Sequence, residues 1–271
     1  MKIPKLQFKK LEIIKSLAIE TGAAIMEIYQ TDFTFETKED KTPLTLADQR
    51  ANGIIVNGLK EEFPGHALLS EESRDDKSRL SNDLCFIIDP LDGTKEFISK
   101  NGQFTVNIAL AHKQKVVMGV IYVPVTKELY YAAKGQGAYL EKLEGQGSWG
   151  NLSQSKRLQV TDKLKDLIMA GSKSHPSPKE AILIEENKGK IQNTLSAGSS
   201  LKGCMVAQGR ADVYYRFGLT SEWDTAAMEC IVKEAGGIFK QMDGTDMLYN
   251  RENNLNEKGF YAVNRKENIW V

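Results

Sequence analysis

Apolar residues at Leu11, Ile14, Ala18, Ile25 and Ile28 recur at helical spacing and predict an amphipathic helix over residues 8–29. The stretch 34–46 is polar, holds Pro43, and reads as a loop or a short hairpin. Thr45-Leu46-Ala47-Asp48 then offers a capping hydroxyl followed three residues later by an acid, which starts a second helix running to about Phe63, before Pro64-Gly65. A short apolar run, Ala67-Leu68-Leu69, stops on Ser70-Glu71-Glu72. Leu84-Cys85-Phe86-Ile87-Ile88 is apolar without alternation, so both its faces are covered and it is expected to be a central strand, ending on Asp89. Residues 104–111, 116–124 and 129–133 follow as antiparallel strands, with Lys113-Gln114-Lys115 a turn between the first two.

The segment 134–154 is rich in Gly, Gln and Ser, and within it Glu144-Gly145-Gln146-Gly147-Ser148-Trp149 is expected to be a lengthened loop. Its Gly135-Gln136-Gly137 lacks the third glycine and the following helix of a dinucleotide fingerprint. A boundary near residue 155 divides the chain into an α+β half, 1–155, and a second half, 156–271. Beyond it, strands at 167–170, 211–215 and 237–240 alternate with helices at 178–188, 200–208 and 225–235, an α/β pattern.

The chain has 271 residues, 36 basic against 36 acidic, and so no net charge to draw it as a whole toward nucleic acid or anionic lipid. Its N-terminal residues lack the apolar run of a secretory signal, and no stretch approaches the roughly 20 apolar residues that span a bilayer; the longest, such as 116–125, are strand-sized. The three cysteines, Cys85, Cys204 and Cys230, are odd in number and sit in apolar surroundings, which predicts buried free thiols in a reducing compartment.

Chemistry concentrates in Asp89-Pro90-Leu91-Asp92-Gly93-Thr94. Two carboxylates on a strand-ending turn, with the Leu91 carbonyl between them, suit a hard divalent cation, although Asp-Pro and Asp-Gly also form plain turns. If the two strands lie side by side, Glu71 reaches the same sheet edge as Asp89. Asp224 opens an apolar helix in Glu222-Trp223-Asp224-Thr225-Ala226-Ala227, where an ordinary N-cap would also stand. Glu71, Asp89, Asp92 and Asp224 together form a candidate oxygen cage for magnesium.

Ser70-Glu71-Glu72, the 89–94 segment and Trp223-Asp224-Thr225-Ala226-Ala227 resemble the three signatures of the magnesium-dependent, lithium-inhibited phosphomonoesterases, the superfamily of inositol monophosphatases and fructose bisphosphatases. The extension to Lys95-Glu96-Phe97, residues 104–110 and Gly198-Ser199-Ser200-Leu201-Lys202 resemble the branch that hydrolyses 3'(2'),5'-bisphosphate nucleotides. The resemblance implies a layered αβαβα sandwich with its active site in a cleft between the halves, the first carrying most metal ligands and the second Asp224 and substrate contacts. It implies two or three magnesium ions held by Glu71, Asp89, the Leu91 carbonyl, Asp92 and Asp224, with Asp89 bridging. Glu71, Thr94 and Asp48 would orient and deprotonate the attacking water, although Asp48 also suits a plain first-turn helix acid. Glu71, Leu91, Asp92, Gly93, Thr94 and Asp224 would surround the phosphate that is cleaved. His175, Ser199, Lys202 and Arg216 would meet the second phosphate and the nucleoside. Of these, His175 is equally a loop histidine, and Arg216 a solvated end of its strand.

The implied reaction removes the 3'-phosphate of adenosine 3',5'-bisphosphate, clearing a by-product of sulfate activation. The resemblance also implies a cytoplasmic monomer or homodimer, without nucleic-acid partners or an integral membrane segment, peripheral on the inner face of the cell inner membrane. The rival readings are an inositol monophosphatase or sugar bisphosphatase using the same metals, and a non-catalytic sensor of bisphosphate nucleotides.

Overall fold

A computed structural model describes residues 5–31, 35–37, 43–144, 151–152, 155–171 and 177–271. The apolar stripe of the first helix, α1 (Lys5–Tyr29), buries Leu11, Ile14, Ala18 and Ile25. The hairpin reading is met by β1 (Phe35–Thr37) paired with β2 (Pro43–Thr45), which leads straight into α2 (Leu46–Glu62). The two helices pack together on one face of a large sheet.

That sheet is built from β3 (Ala67–Ser70), β4 (Leu84–Asp92), β5 (Thr105–His112), β6 (Lys115–Val123), β7 (Glu128–Ala133) and β8 (Gly137–Glu144), with β9 (Asn151–Leu152) and β10 (Lys156–Arg157) both on β8. A short helix, α3 (Thr94–Ile98), separates β4 from β5. Alternation across β4 explains its unbroken apolarity: Phe86 and Ile88 face α1 and α2, while Cys85 and Ile87 face the opposite layer. Yet β4 is not central. It lies one strand in from the edge, between parallel β3 and antiparallel β5, because covering both faces of a strand says nothing about its rank in the sheet.

Within the Gly-, Gln- and Ser-rich segment 134–154, residues 137–144 form a strand that the sequence did not announce, and the expected loop beyond Glu144 lies outside the described residues. Gly135 and Gly137, both with positive φ (76° and 86°), shape a tight turn whose N–H groups are taken by the Glu234 carboxylate, and β8 returns along β7. Trp149 lies outside the described residues.

The second sheet collects β11 (Leu167–Gly171), β12 (Ile191–Ser196), β13 (Val213–Arg216), β14 (Ile238–Gln241) and β15 (Phe260–Val263) in the order β12-β11-β13-β15-β14. Interleaved with them are α4 (Pro178–Glu186), α5 (Leu201–Ala207) and α6 (Glu222–Glu234). Strands β12 and β15 were not expected from the sequence; the former is mostly exposed and polar, without an apolar signal. Helices α5 and α6 are buried between the two sheets, and α4 covers the outer face of the second. The layers therefore run α, β, α, β, α, as the resemblance implied. All three cysteines are buried and free. Among the described residues no helix is long and apolar enough to cross a membrane.

Candidate active site

Parallel pairing of β3 and β4 sets Ser70 opposite Ile88, so the next residues, Glu71 and Asp89, emerge at the same level, with the Glu71 N–H bonded to the Ile88 carbonyl at 3.2 Å. The chain does not turn after Asp89, as the sequence suggested. It continues as strand through a β-bulge: Asp89 pairs with Asn107 and Asp92 with Thr105, so Pro90 and Leu91 together oppose the single residue Val106. Residues three apart on a regular strand point to opposite faces; one extra residue resets the alternation and brings both carboxylates to one side. Proline fits here because a bulge leaves its missing N–H without consequence. Gly93 follows with φ +97°, a conformation suited to glycine, and Thr94 opens α3.

The facing wall comes from the second half. The turn before α5 carries Ser199 in the left-handed region (φ +51°), and Arg216 ends β13. On α6 the N-cap is Ser221, and Asp224 is its third helical residue, accepting the Ser221 N–H at 2.5 Å. The N-cap position expected of Asp224 belongs to Ser221 because the helix begins three residues earlier than expected, at Glu222. The carboxylate of Asp224 is thus aimed back over the helix start. One oxygen from each of Asp89, Asp92 and Asp224 falls within 4.8 Å of the others.

A cavity of about 510 Å³ gathers Glu71, Asp89, Leu91, Asp92, Gly93, Thr94, Ser199, Lys202, Arg216 and Asp224. Two expected residues are not among its walls. Asp48 is buried in the first turn of α2, outside the lining, though near enough for its charge to act on Asp89. His175 lies outside the described residues. Lys95 and Glu96, read from the sequence only as part of a motif, also line the cavity, and Tyr214, Leu219, Thr220, Met228 and Phe260 are wall residues that went unsuspected. Thr105 and Asn107, both buried and both bonded to Asp92, had a signal available, two polar residues at alternate positions of an otherwise apolar strand.

Electrostatics explains what such a site calls for. Asp89 is 1% exposed. Burial foremost, then the charges of Glu71, Asp92, Asp224 and Asp48, hold its carboxyl well above the usual carboxylate range. Burial, then Asp92, pushes Asp224 up to about 8, against opposing pulls from the Ser221 N–H and Arg216. A group of hard oxygen donors that repel one another at this range fits a small divalent cation, which would relieve that repulsion. Lys202 is 8% exposed, and burial lowers its pKa first of all, with Asp92 opposing. Its ammonium donates to the Ala197 carbonyl at 3.1 Å and the Ser199 carbonyl at 2.9 Å, which leaves its third N–H for a ligand. The site thus offers acids from both walls for a cation, with a lysine and an arginine of the second half for a phosphate.

A profile described as the inositol monophosphatase family matches residues 9–269. The 3'(2'),5'-bisphosphate nucleotidase CysQ of Salmonella typhimurium is 39% identical over 253 residues, covering 92% of this chain and 98% of that protein. The crystal structure of CysQ from Bacteroides thetaiotaomicron, a bacterial member of the inositol monophosphatase family, superposes with a TM-score of 0.83 at 40% identity, covering 95% of this chain and 98% of the other. The extragenic suppressor protein suhB of Bartonella henselae is more distant, with a TM-score of 0.77 at 26% identity and coverage of 95% and 94%.

Proposed function

The chain belongs to the inositol monophosphatase family, and from that premise we propose that it is a phosphatase that removes the 3'-phosphate of adenosine 3',5'-bisphosphate, giving AMP and phosphate. The observation that carries this reading is the meeting of a carboxylate cluster with Lys202 and Arg216 in one cavity. A bisphosphate needs both: acids with cations for the group that is cleaved, and fixed positive charge for the group that is kept. The bisphosphate nucleotidases it resembles at 39% identity favour a nucleotide over an inositol or sugar phosphate.

Magnesium bound by Asp89, Asp92 and Asp224, with Glu71 and the Leu91 carbonyl supplying further oxygens for two or three ions, would neutralise phosphoryl charge and make a water more acidic. In this reading Glu71 and Thr94 orient the attacking water, and Glu71 takes its proton, while Asp48 acts from behind through its charge. Attack in line with the 3'-oxygen needs no covalent enzyme intermediate. The N–H groups of Gly93 and Thr94 meet the phosphoryl oxygens as charge grows on them. Arg216 and the third N–H of Lys202 hold the 5'-phosphate, with Ser199 and His175 beside the nucleoside. Residues 1–155 and 156–271 act as the two jaws of this cleft. The proposal places a monomer or homodimer in the cytoplasm, clearing a by-product of sulfate activation. Its finer form, peripheral attachment to the inner membrane, is checked by fractionating a lysate into soluble and membrane pools.

A phosphate-release panel over adenosine 3',5'-bisphosphate, inositol phosphates and fructose 1,6-bisphosphate, with magnesium varied, tests the reading. The nucleotide should be the preferred substrate, and only with magnesium. Equal rates on inositol phosphate would favour the rival phosphatase. Nucleotide binding without turnover would favour the sensor.

A further inference from the structure

One oxygen of Asp92 is surrounded by donors. Its Oδ2 accepts from Ser199 Oγ at 2.6 Å, Ser200 Oγ at 2.7 Å and the Ser200 N–H at 2.8 Å. Asn107 Nδ2 at 3.2 Å and Thr105 Oγ1 at 3.4 Å stand farther out. A carboxylate oxygen accepts along about two lone-pair directions. Three short bonds therefore exhaust Oδ2 and leave Oδ1 as the atom available to a cation.

Ser200 is the hub of this arrangement. It is 1% exposed, supplies two of the three short bonds, and accepts Asn107 Nδ2 at 2.9 Å on the same hydroxyl. That hydroxyl also lies 3.4 Å from the backbone carbonyl of Asp224. A side chain from the turn before α5 thus touches an acid on β4, its neighbour on β5, and the backbone of an acid on α6. We infer that Ser200 is a positioning residue for the metal site: by occupying Asp92 Oδ2 it presents Oδ1 alone and keeps that carboxylate in register with Asp224. The inference rests on the reading of Asp92 and Asp224 as magnesium ligands. Ligand direction matters because magnesium demands near-octahedral geometry, so a carboxylate free to rotate binds it less well. Partners that hold a ligand in place typically change metal affinity or activity by about 10–100-fold when lost.

The test uses Mn²⁺ as a paramagnetic stand-in for Mg²⁺, titrated into the whole protein while electron paramagnetic resonance counts the free ion. Ser200→Ala should bind Mn²⁺ about tenfold more weakly. Its turnover of adenosine 3',5'-bisphosphate should fall in kcat rather than KM, and its Tm in EDTA should stay near that of the wild type. Ser200→Thr, which restores the hydroxyl, should recover much of the Mn²⁺ affinity. Mn²⁺ affinity within about twofold of wild type in folded Ser200→Ala overturns the inference, as does a loss that merely follows a collapse in Tm. Where Ser200→Ala does not fold, Ser200→Gly, which also removes the 2.7 Å hydroxyl bond, takes its place, and unchanged Mn²⁺ affinity there overturns it equally. A wild-type protein that binds no Mn²⁺ would instead defeat the proposed function.

Discussion

Replacing Asp224 by Asn is expected to stabilise the metal-free protein while abolishing its activity. The amide has the same shape, and its oxygen can keep the 2.5 Å bond from the Ser221 N–H, so the substitution removes charge and little else. The Asp224 pKa is pushed from 3.8 to about 8, by burial first and Asp92 next. An acid whose folded pKa is raised weakens the fold above its unfolded pKa, because the unfolded chain has released a proton that the folded chain still holds. The penalty is absent below about pH 4, grows as pH rises, and levels off near pH 8. At pH 7, about 1.4 kcal/mol per pKa unit sets an upper bound of about 4 kcal/mol. Asp89 and Asp92 share the same repulsion, which leaves an expected gain of about 2–4 kcal/mol. With roughly 2 °C of Tm per kcal/mol in a chain of this size, Asp224→Asn in EDTA should melt about 4–8 °C above wild type at pH 7. At pH 5 the gap should shrink to about a third of that. Excess Mg²⁺ should raise the wild type preferentially, by mass action on its intact site. Phosphate release by the variant should fall about 100-fold or more, roughly 3 kcal/mol of lost transition-state stabilisation. Scanning calorimetry at the two pH values, beside the release assay, reads all of this. A variant that melts no higher than wild type at pH 7, with an unchanged gap at pH 5, refutes the electrostatic account.

The remaining expectations concern substrate choice and packing. Lys202→Ala and Arg216→Ala should each raise KM for adenosine 3',5'-bisphosphate about tenfold or more, from the loss of a charged contact, and raise KM for inositol phosphate far less; equal effects in steady-state kinetics would count against the nucleotide reading. The buried Arg79 guanidinium joins Asp75 (3.0 and 2.9 Å) to Asn250 Oδ1 (2.8 Å) and the Arg251 carbonyl (2.8 Å). Arg79→Ala should therefore lower stability by about 2–4 kcal/mol, seen as a reduced urea midpoint at constant slope. Strand β6 approaches α6 so closely at Gly119 that an added Cβ would lie 2.7 Å from the Ala227 carbonyl oxygen. Gly119→Ala should cost about 1–3 kcal/mol by the same urea measurement.

Much of the architecture is written locally. Helical spacing in α1, unbroken apolarity in β4, the Lys113–Gln114 turn and the alternation of strands and helices after residue 166 follow from propensity and side-chain period, which depend on near neighbours. The acids of the site were legible for a similar reason: Glu71, Asp89 and Asp92 each stand where an apolar run ends, and burial of that run carries them to the cleft. Strand β8 was hidden because glycine and glutamine around 135–137 look the same in a loop and in a hairpin turn until Glu234, about a hundred residues on, receives their N–H groups. The bulge at Pro90–Leu91 was hidden too, since only the pairing of β4 with β5 shows that two residues oppose one.

What the sequence determined by itself is most of the elements, though not β8, β12 or β15, and the places where an acid ends an apolar run, because each depends on a short window of chain. Tertiary structure alone decided that Asp89 and Asp92 share a face, that Asp224 arrives beside them from α6, and that Ser199 and Ser200 saturate one oxygen of Asp92. Those facts are relations between segments up to about 130 residues apart, and no local pattern of apolar and polar positions encodes a distance between side chains so far removed along the chain.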